Sequence, residues 1–294
     1  MGKPLHEDFT SDPLHSFRLK HSVQSNLDSP WHVHEHYELF YIIKSHGIRF
    51  IGDNVDSFVD GELVFLGSGL PHVWKNPSYY YSSKDQKIEA ICLQFRETAF
   101  GEAFFDLPEL SKVKEFLSRS AQGLIILEKS KTIIIKLLYE MLECSGLSRL
   151  VKLLEILNIL AVSTELKPIT QSVQNWSSYR SSDKRLVRVF ELASTQFHRE
   201  ISLEEAANLA NMSKAAFCRL FKRVTLKPFM DYLNFIRIRV ASDLLEESQL
   251  SFSEVAYKCG FKNQSYFNYI FKRINGHTPT EHRKRLQPIR PVIT

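Results

Sequence analysis

Two stretches in the last third of the chain repeat each other. "AANLANMSKAAFCRLFKR" (206–223) aligns with "VAYKCGFKNQSYFNYIFKR" (255–273). Ala207 matches Ala256 and Asn211 matches Gly260 at an offset of 49, while Phe217 matches Phe267 and "LFKR" matches "IFKR" at an offset of 50. The second copy therefore has one extra residue in its turn. In each copy a small Ala falls where two helices cross, and two Phe spaced by four (Phe217 and Phe221, Phe267 and Phe271) mark the inward face. Each copy reads as helix, tight turn, helix.

The punctuation agrees. Ser202 caps "LEEAANLA", "NMS" turns the chain, and Ser213 caps "KAAFCRLFKRV". In the second copy Ser253 precedes "EVAYKC", Gly260 supplies the left-handed residue that ends the helix, and Asn263 or Lys262 begins "QSYFNYIFKRI". This is the helix-turn-helix pattern, whose second helix enters the DNA major groove. Between the copies, 228–248 fits one long helix started by Pro228. About 18 residues at 1.5 Å each give a rod of roughly 27 Å, which suits two reading heads one DNA turn apart, about 34 Å.

Charge points the same way. Residues 184–286 hold 18 Lys or Arg against 10 Asp or Glu, a net +8, and the rest of the chain is −3. A basic domain beside a slightly acidic one suggests a polyanion target for one half.

Residues 184–286 resemble the DNA-binding domain of the AraC family of bacterial transcription regulators. The signature is "SFSEVAYKCGFKNQSYFNYIFKRINGHTPTEHRKR", preceded by "FIRIRVASDLL". Two positions depart from the family: Thr225-Leu226 stands where Thr-Gly is usual, and Tyr269 where Arg is usual. Helix geometry sets the expected reading faces. Ala215, Ala216, Cys218, Arg219 and Lys222 lie opposite Phe217 and Phe221, with Lys214 at the helix start; Gln264, Ser265, Asn268 and Tyr269 form the exposed face of the second copy, with Asn263 at its start as a further DNA contact. Arg219 suits guanine, and Gln264 and Asn268 suit adenine. Lys214, Lys222, Lys262, Lys272 and "RKR" (283–285) suit phosphates.

The N-terminal half has a different texture. "YELFYIIK", "GIRFIGDNVDSFV", "GELVFLG" and "KIEAICLQF" read as short strands punctuated by Gly, Asn, Asp and Pro, which argues for an all-β sandwich or barrel. In "WHVHEHYELF" (31–40), His32, His34, His36 and Glu38 fall on alternate positions, one face of a strand if a strand runs through them. With "GELVFLGSGLPHVWKN" this stretch resembles the two cupin motifs. His32, His34 and Glu38 match the first; Gly61, Gly69, His72 and Asn76 match the second, with Gly67 in place of Pro. In metal-bearing cupins the positions matching His32, His34, Glu38 and His72 hold the ion, a set suited to a divalent metal such as Zn, Fe, Mn or Ni. The resemblance to regulators of this architecture implies instead that the same polar residues line an effector pocket, with His36 and Trp74 as candidates for its wall, or satisfy one another. Trp31, Phe40, Trp74 and Tyr79–Tyr81 are candidates to stack on a sugar-like effector or to fill the core.

Residues 100–165 turn helical. Leu150, Leu153, Leu154, Leu157 and Leu160 form one apolar stripe, and Val151, Ile156, Ile159 and Val162 widen it beyond a normal core face. Packing on the chain's own barrel and a homodimer interface both fit. Residues 167–183 are Ser-rich and aperiodic and read as a linker, with Trp176 and Tyr179 as docking points. The four cysteines form no CxxC and read as reduced thiols. No apolar run suits a signal peptide or reaches the roughly 18 residues of a membrane span, so a cytoplasmic protein is expected.

The expectation is an α+β chain of two domains. Residues 1–166 form a cupin-like β-barrel with a helical dimerisation segment, 167–183 the linker, 184–286 an all-α domain of two helix-turn-helix motifs, and 287–294 a tail. The implied function is a small-molecule-controlled regulator that binds double-stranded operator DNA and activates by contacting RNA polymerase. The alternatives are a metal-dependent cupin enzyme, an oxygenase or isomerase, fused to a DNA-binding domain, and a metal-responsive regulator.

Overall fold

The computed structural model describes residues 16–27, 29, 31–76, 80, 87–170, 184–225, 227–247 and 249–286. Tyr79, Tyr81, Trp176, Tyr179, Leu226 and the 287–294 tail lie outside them. The chain divides into two compact units, 1–183 and 184–294.

The first unit is built on β1 (Phe17–Gln24), β2 (Tyr37–Lys44), β3 (Gly47–Ile51), β4 (Asn54–Phe58), β5 (Leu63–Leu66), β6 (His72–Lys75), β7 (Ile88–Phe95), β8 (Leu124–Ile126) and β9 (Leu166–Pro168). One sheet has the order β1-β7-β2-β5-β8-β9 and a second has β4-β3-β6. Among the described residues, no strand pairing closes the two sheets into a barrel.

Strand alternation gives β2 two employers. Its odd residues Tyr37, Leu39 and Tyr41 join Leu63, Phe65, Ile91, Leu93 and Phe95 in a core shared with helices. Those helices are α1 (Ser111–Arg119), α2 (Glu128–Glu143) and α3 (Gly146–Val162). The even residues Glu38 and Phe40 face the other way, toward β6: Phe40 and Trp74 rings lie 4.6 Å apart. In α3, Leu153, Ile156, Leu157 and Leu160 are buried, whereas Leu147, Val151 and Val162 are more than half exposed.

The sheet claims the first residues of the segment expected as linker. Lys167 and Pro168 pair with β8. Ile169 and Thr170 are buried and donate their N–H groups to the carbonyls of Gly123 and Gln122 at 2.9 Å. Gly123 permits this close approach: at φ +62°, a Cβ there would meet Leu70, Ile169 and Ile51 at 3.2–3.3 Å.

The second unit is helical: α4 (Lys184–Gln196), α5 (Leu203–Leu209), α6 (Lys214–Thr225), α7 (Phe229–Glu247), α8 (Phe252–Lys258), α9 (Gln264–Asn275) and α10 (Pro279–Leu286). Ser202 caps α5 by accepting from Glu205 N–H, and Asn263 caps α9 by accepting from Tyr266 N–H. The cap of α8 is Ser251, not Ser253. It forms a reciprocal capping box with Glu254, and Ser253 already lies inside the helix. The first half of α7 packs Phe229 and Tyr232 against Phe221. Its second half packs Ile238, Ala241 and Leu245 into a separate core with Phe267 and Phe271. None of the helices among the described residues is long and apolar enough to cross a membrane.

Candidate functional site

The histidines reach a common point by a route other than the expected one. Strand β2 begins at Tyr37, so His32, His34 and His36 precede it in an irregular segment and do not share a strand face with Glu38. Paired backbone bonds join His32 to His72, Gly69 N–H donates to the His34 carbonyl at 2.9 Å, and Ser68 Oγ donates to the Glu35 carbonyl. These bonds lay the segment against the loop leading into β6. The rings of His32 and His34 then lie 4.3 Å and 4.9 Å from that of His72. His36 departs from the group and accepts from Arg96 Nε at 3.3 Å.

Glu38 is the hub. Its Oε2 accepts from His34 Nε2 at 2.9 Å and from Gln94 Nε2 at 2.7 Å, and it lies 3.8 Å from His72 Nε2. Gln94 sits opposite Glu38 in the β2–β7 register, which is how it arrives there. Burial works against ionising Glu38, but the His34 hydrogen bond and the neighbouring imidazoles outweigh it and hold the carboxyl well below the usual range. Burial, followed by the neighbouring His32, pushes His72 well below its ordinary value. Burial, with His34 and Arg96, lowers His36 to about 4.

These states fix the tautomer of His72. Its Nδ1 lies 2.8 Å from the Leu70 carbonyl, which only accepts, so the proton of the neutral ring sits on Nδ1. Nε2 then presents a lone pair toward the Glu38 carboxylate, and it is buried with no hydrogen-bond partner. Trp74 Nε1, two residues along β6, is likewise a buried donor without a partner. Donor atoms of His32, His34 and His72 lie within 4.8 Å of one another. The set fits a divalent cation: convergent imidazoles, one with a lone pair in place, and an adjacent carboxylate.

Asn76, matched to the second cupin motif, acts as a staple. It donates to Ser45 Oγ and the His46 carbonyl and accepts from Leu27 N–H. Gln94 and Arg96 were missed by the sequence reading, although two long polar residues in the otherwise apolar "CLQFR" were a signal.

In the second unit, Lys214, Ala215, Arg219 and Lys222 are exposed on α6, and Ala216 and Cys218 are partly exposed, while Phe217 and Phe221 are buried. On α9, Gln264, Ser265, Asn268 and Tyr269 are exposed opposite buried Phe267 and Phe271, and Asn263 is exposed at the cap. Two of the basic residues are engaged within the chain. Lys262 pairs with Glu200 at 2.8 Å. Arg283 donates to the Leu250 carbonyl and lies over the Phe252 ring, so it anchors α10 rather than standing free for phosphate.

A protein-family model described as a helix-turn-helix domain matches residues 206–285. The C-terminal unit is an AraC-type helix-turn-helix domain, and the chain is a DNA-binding transcription regulator. The chain is 23% identical over 257 residues to the HTH-type transcriptional activator RhaR of Mannheimia succiniciproducens, covering 87% of each. It is 36% identical over 100 residues to the HTH-type transcriptional regulator GlxA of Rhizobium meliloti, covering 34% of this chain and 31% of that one. Among solved structures, the DNA-binding domain of AdpA in complex with a target DNA is similar, with 31% identity over 37% of this chain and 97% of that one and a TM-score of 0.35. The relatives are transcription regulators, so the reading of this chain as a metal-dependent oxygenase or isomerase gives way.

Proposed function

We propose that this AraC-type regulator senses a small molecule in a cupin-like N-terminal domain and acts as a homodimer on operator DNA. The observation that carries the sensing half is the pair of unsatisfied groups on β6. The His72 Nε2 lone pair and the Trp74 Nε1 donor are buried without partners beside an ionised Glu38. Buried polar groups are costly unless something answers them, and a polyhydroxy molecule of sugar type offers both a donor and an acceptor. His32, His34, His36 and Glu38 complete the wall. The exposed Leu147, Val151 and Val162 on α3 are the surface offered to a second copy. Binding shifts the population between two states, and the active one recruits RNA polymerase.

On DNA, α6 and α9 occupy successive major grooves. Arg219 reads guanine, Gln264 and Asn268 read adenine, and Ala215, Cys218, Ser265 and Tyr269 contact base edges and methyls. Lys214, Lys222 and the Asn263 cap hold the backbone. The test is operator binding by Arg219→Ala and Asn268→Ala, each of which loses about 1–3 kcal/mol of discrimination at one base pair. Unchanged sequence preference in both would overturn the reading face.

A second reading has its own observation. The convergence of His32, His34 and His72 within 4.8 Å suits a divalent ion as the effector or as its anchor. Thermal shift of the full chain with pentoses, hexoses and Zn²⁺, in the wild type and in His72→Ala and Trp74→Phe, separates the two. A sugar response lost in Trp74→Phe supports the first, and a Zn²⁺ response lost only in His72→Ala supports the second.

A further inference from the structure

The two helix-turn-helix motifs have separate apolar cores on the two halves of α7. At the seam between them stands Arg237, 6% exposed. Its Nε donates to the Phe197 carbonyl at 2.9 Å and its Nη2 to the Arg199 carbonyl at 2.8 Å. Its guanidinium lies over the Phe261 ring, 5.6 Å from the centroid.

The loop that Arg237 grips touches both motifs. Toward the first, the Arg199 side chain forks onto Glu205 of α5 with contacts of 2.5 and 3.0 Å. Toward the second, Glu200 pairs with Lys262 in the turn before α9. Gly260, in the same turn, sits so close to the loop that a Cβ there would lie 2.4 Å from the Phe197 carbonyl oxygen. Earlier in α7, Asp231 binds Arg273 at 2.9 Å and Asn234 donates to the Tyr266 hydroxyl at 3.1 Å. Asp231, Asn234 and Arg237 recur every third residue, a polar row on one side of α7.

We infer that Arg237 is a positioning residue that fixes the offset between the two recognition helices. Its rigid planar fork spans two carbonyls of one loop, which a point charge on a flexible stem cannot reproduce. The loop is joined to α5 on one side and to the Gly260 turn on the other. A tilt of one motif against the other must break these bonds and leave a guanidinium buried and unpaired. The unit therefore reads two grooves as a single caliper, and operator specificity includes the spacing between half-elements as well as their bases. This rests on the reading of α6 and α9 as two DNA-reading helices.

The test uses the full chain and duplexes selected by it from a random-sequence pool. One base pair inserted between the halves of a selected site shifts the second groove by about 3.4 Å and about 34°. Wild type loses roughly tenfold or more in affinity on that insertion. Arg237→Ala binds the original and the lengthened sites within about threefold of each other, while keeping its base preferences within each half. Arg219→Ala, in contrast, loses a base preference and keeps the spacing penalty. Circular dichroism reports whether Arg237→Ala folds; if it does not, Arg237→Lys carries the test, with a spacing penalty smaller than that of wild type. A spacing profile identical to wild type in the variant tested overturns the role of Arg237. A selected two-part site that tolerates insertions in the wild type overturns the caliper, whereas a one-part site overturns the two-headed reading on which it rests.

Discussion

His72 Nε2 and Glu38 Oε2 face each other 3.8 Å apart inside the first unit, and both present lone pairs. Glu38 is held by the hydrogens of His34 and Gln94 on its other sides. Both donate to the same oxygen, so an isosteric Glu38→Gln change can keep a carbonyl oxygen there but removes the charge that these donors serve. The expected loss is about 1.5–3 kcal/mol, the range for a hydrogen bond to a charged group, and urea denaturation of the two proteins measures it.

Glu62 titrates in the opposite direction from Glu38. Burial raises its carboxyl to about 7, against the pull of Arg49 and Lys131 and with the help of Asp56. Arg49 Nε stands 3.4 Å from Glu62 Oε1. Between the unfolded value of 4.5 and the folded value of about 7, the folded state holds a proton that the unfolded chain has lost. The stability contributed by the protonated form is full below 4.5 and disappears as pH rises through about 7. Wild type should lose up to about 1.4 kcal/mol per pH unit across that window relative to Glu62→Gln. Paired denaturation curves at several pH values test this, and parallel pH profiles would sink it.

The caps of the second unit are separable. Ser251→Ala dissolves the capping box with Glu254 and should cost about 1 kcal/mol. Ser253→Ala touches no cap and should cost under about 0.5 kcal/mol. Thermal midpoints of the two variants rank them.

The two turn residues aligned by the repeat share a left-handed backbone: Asn211 has φ +53° and Gly260 has φ +79°. Their surroundings differ. Asn211 is exposed, so Asn211→Ala should cost only about 1–2 kcal/mol of backbone strain. Gly260→Ala adds a collision with the Phe197 carbonyl and should cost about 3 kcal/mol or more. Equal losses in chemical denaturation would show that the loop yields to the added methyl.

The helical unit was legible because its information is local and written twice. Phe217 and Phe221, Phe267 and Phe271, and the Asn211 and Gly260 turns all lie within one motif length. Ser251 could have been read too, since Ser-x-x-Glu stands at 251–254, but Ser253 lay closer to the apolar run. The polar cluster was legible in membership and not in geometry. Alternation through "HVHEHYE" suggested a strand, whereas the segment leaves that pattern until Tyr37 and reaches His72 through backbone bonds to a distant loop. Gln94 meets Glu38 through a register that spans 56 residues, which no local pattern encodes. Arg283 carried the right charge for phosphate, but its contacts with Leu250 and Phe252 depend on the packing of α10.

The place of β9 at the sheet's edge bears on how the chain is made. Strands β1 and β7 are far apart in sequence, and such long-range pairing is slow to form. In the order β1-β7-β2-β5-β8-β9, the last strand to leave the ribosome is also the outermost. It can add to β8 without parting any pair already formed. Every strand pair of this sheet lies within residues 17–168, so the first unit can complete it, edge included, without drawing on any residue of the helices that follow.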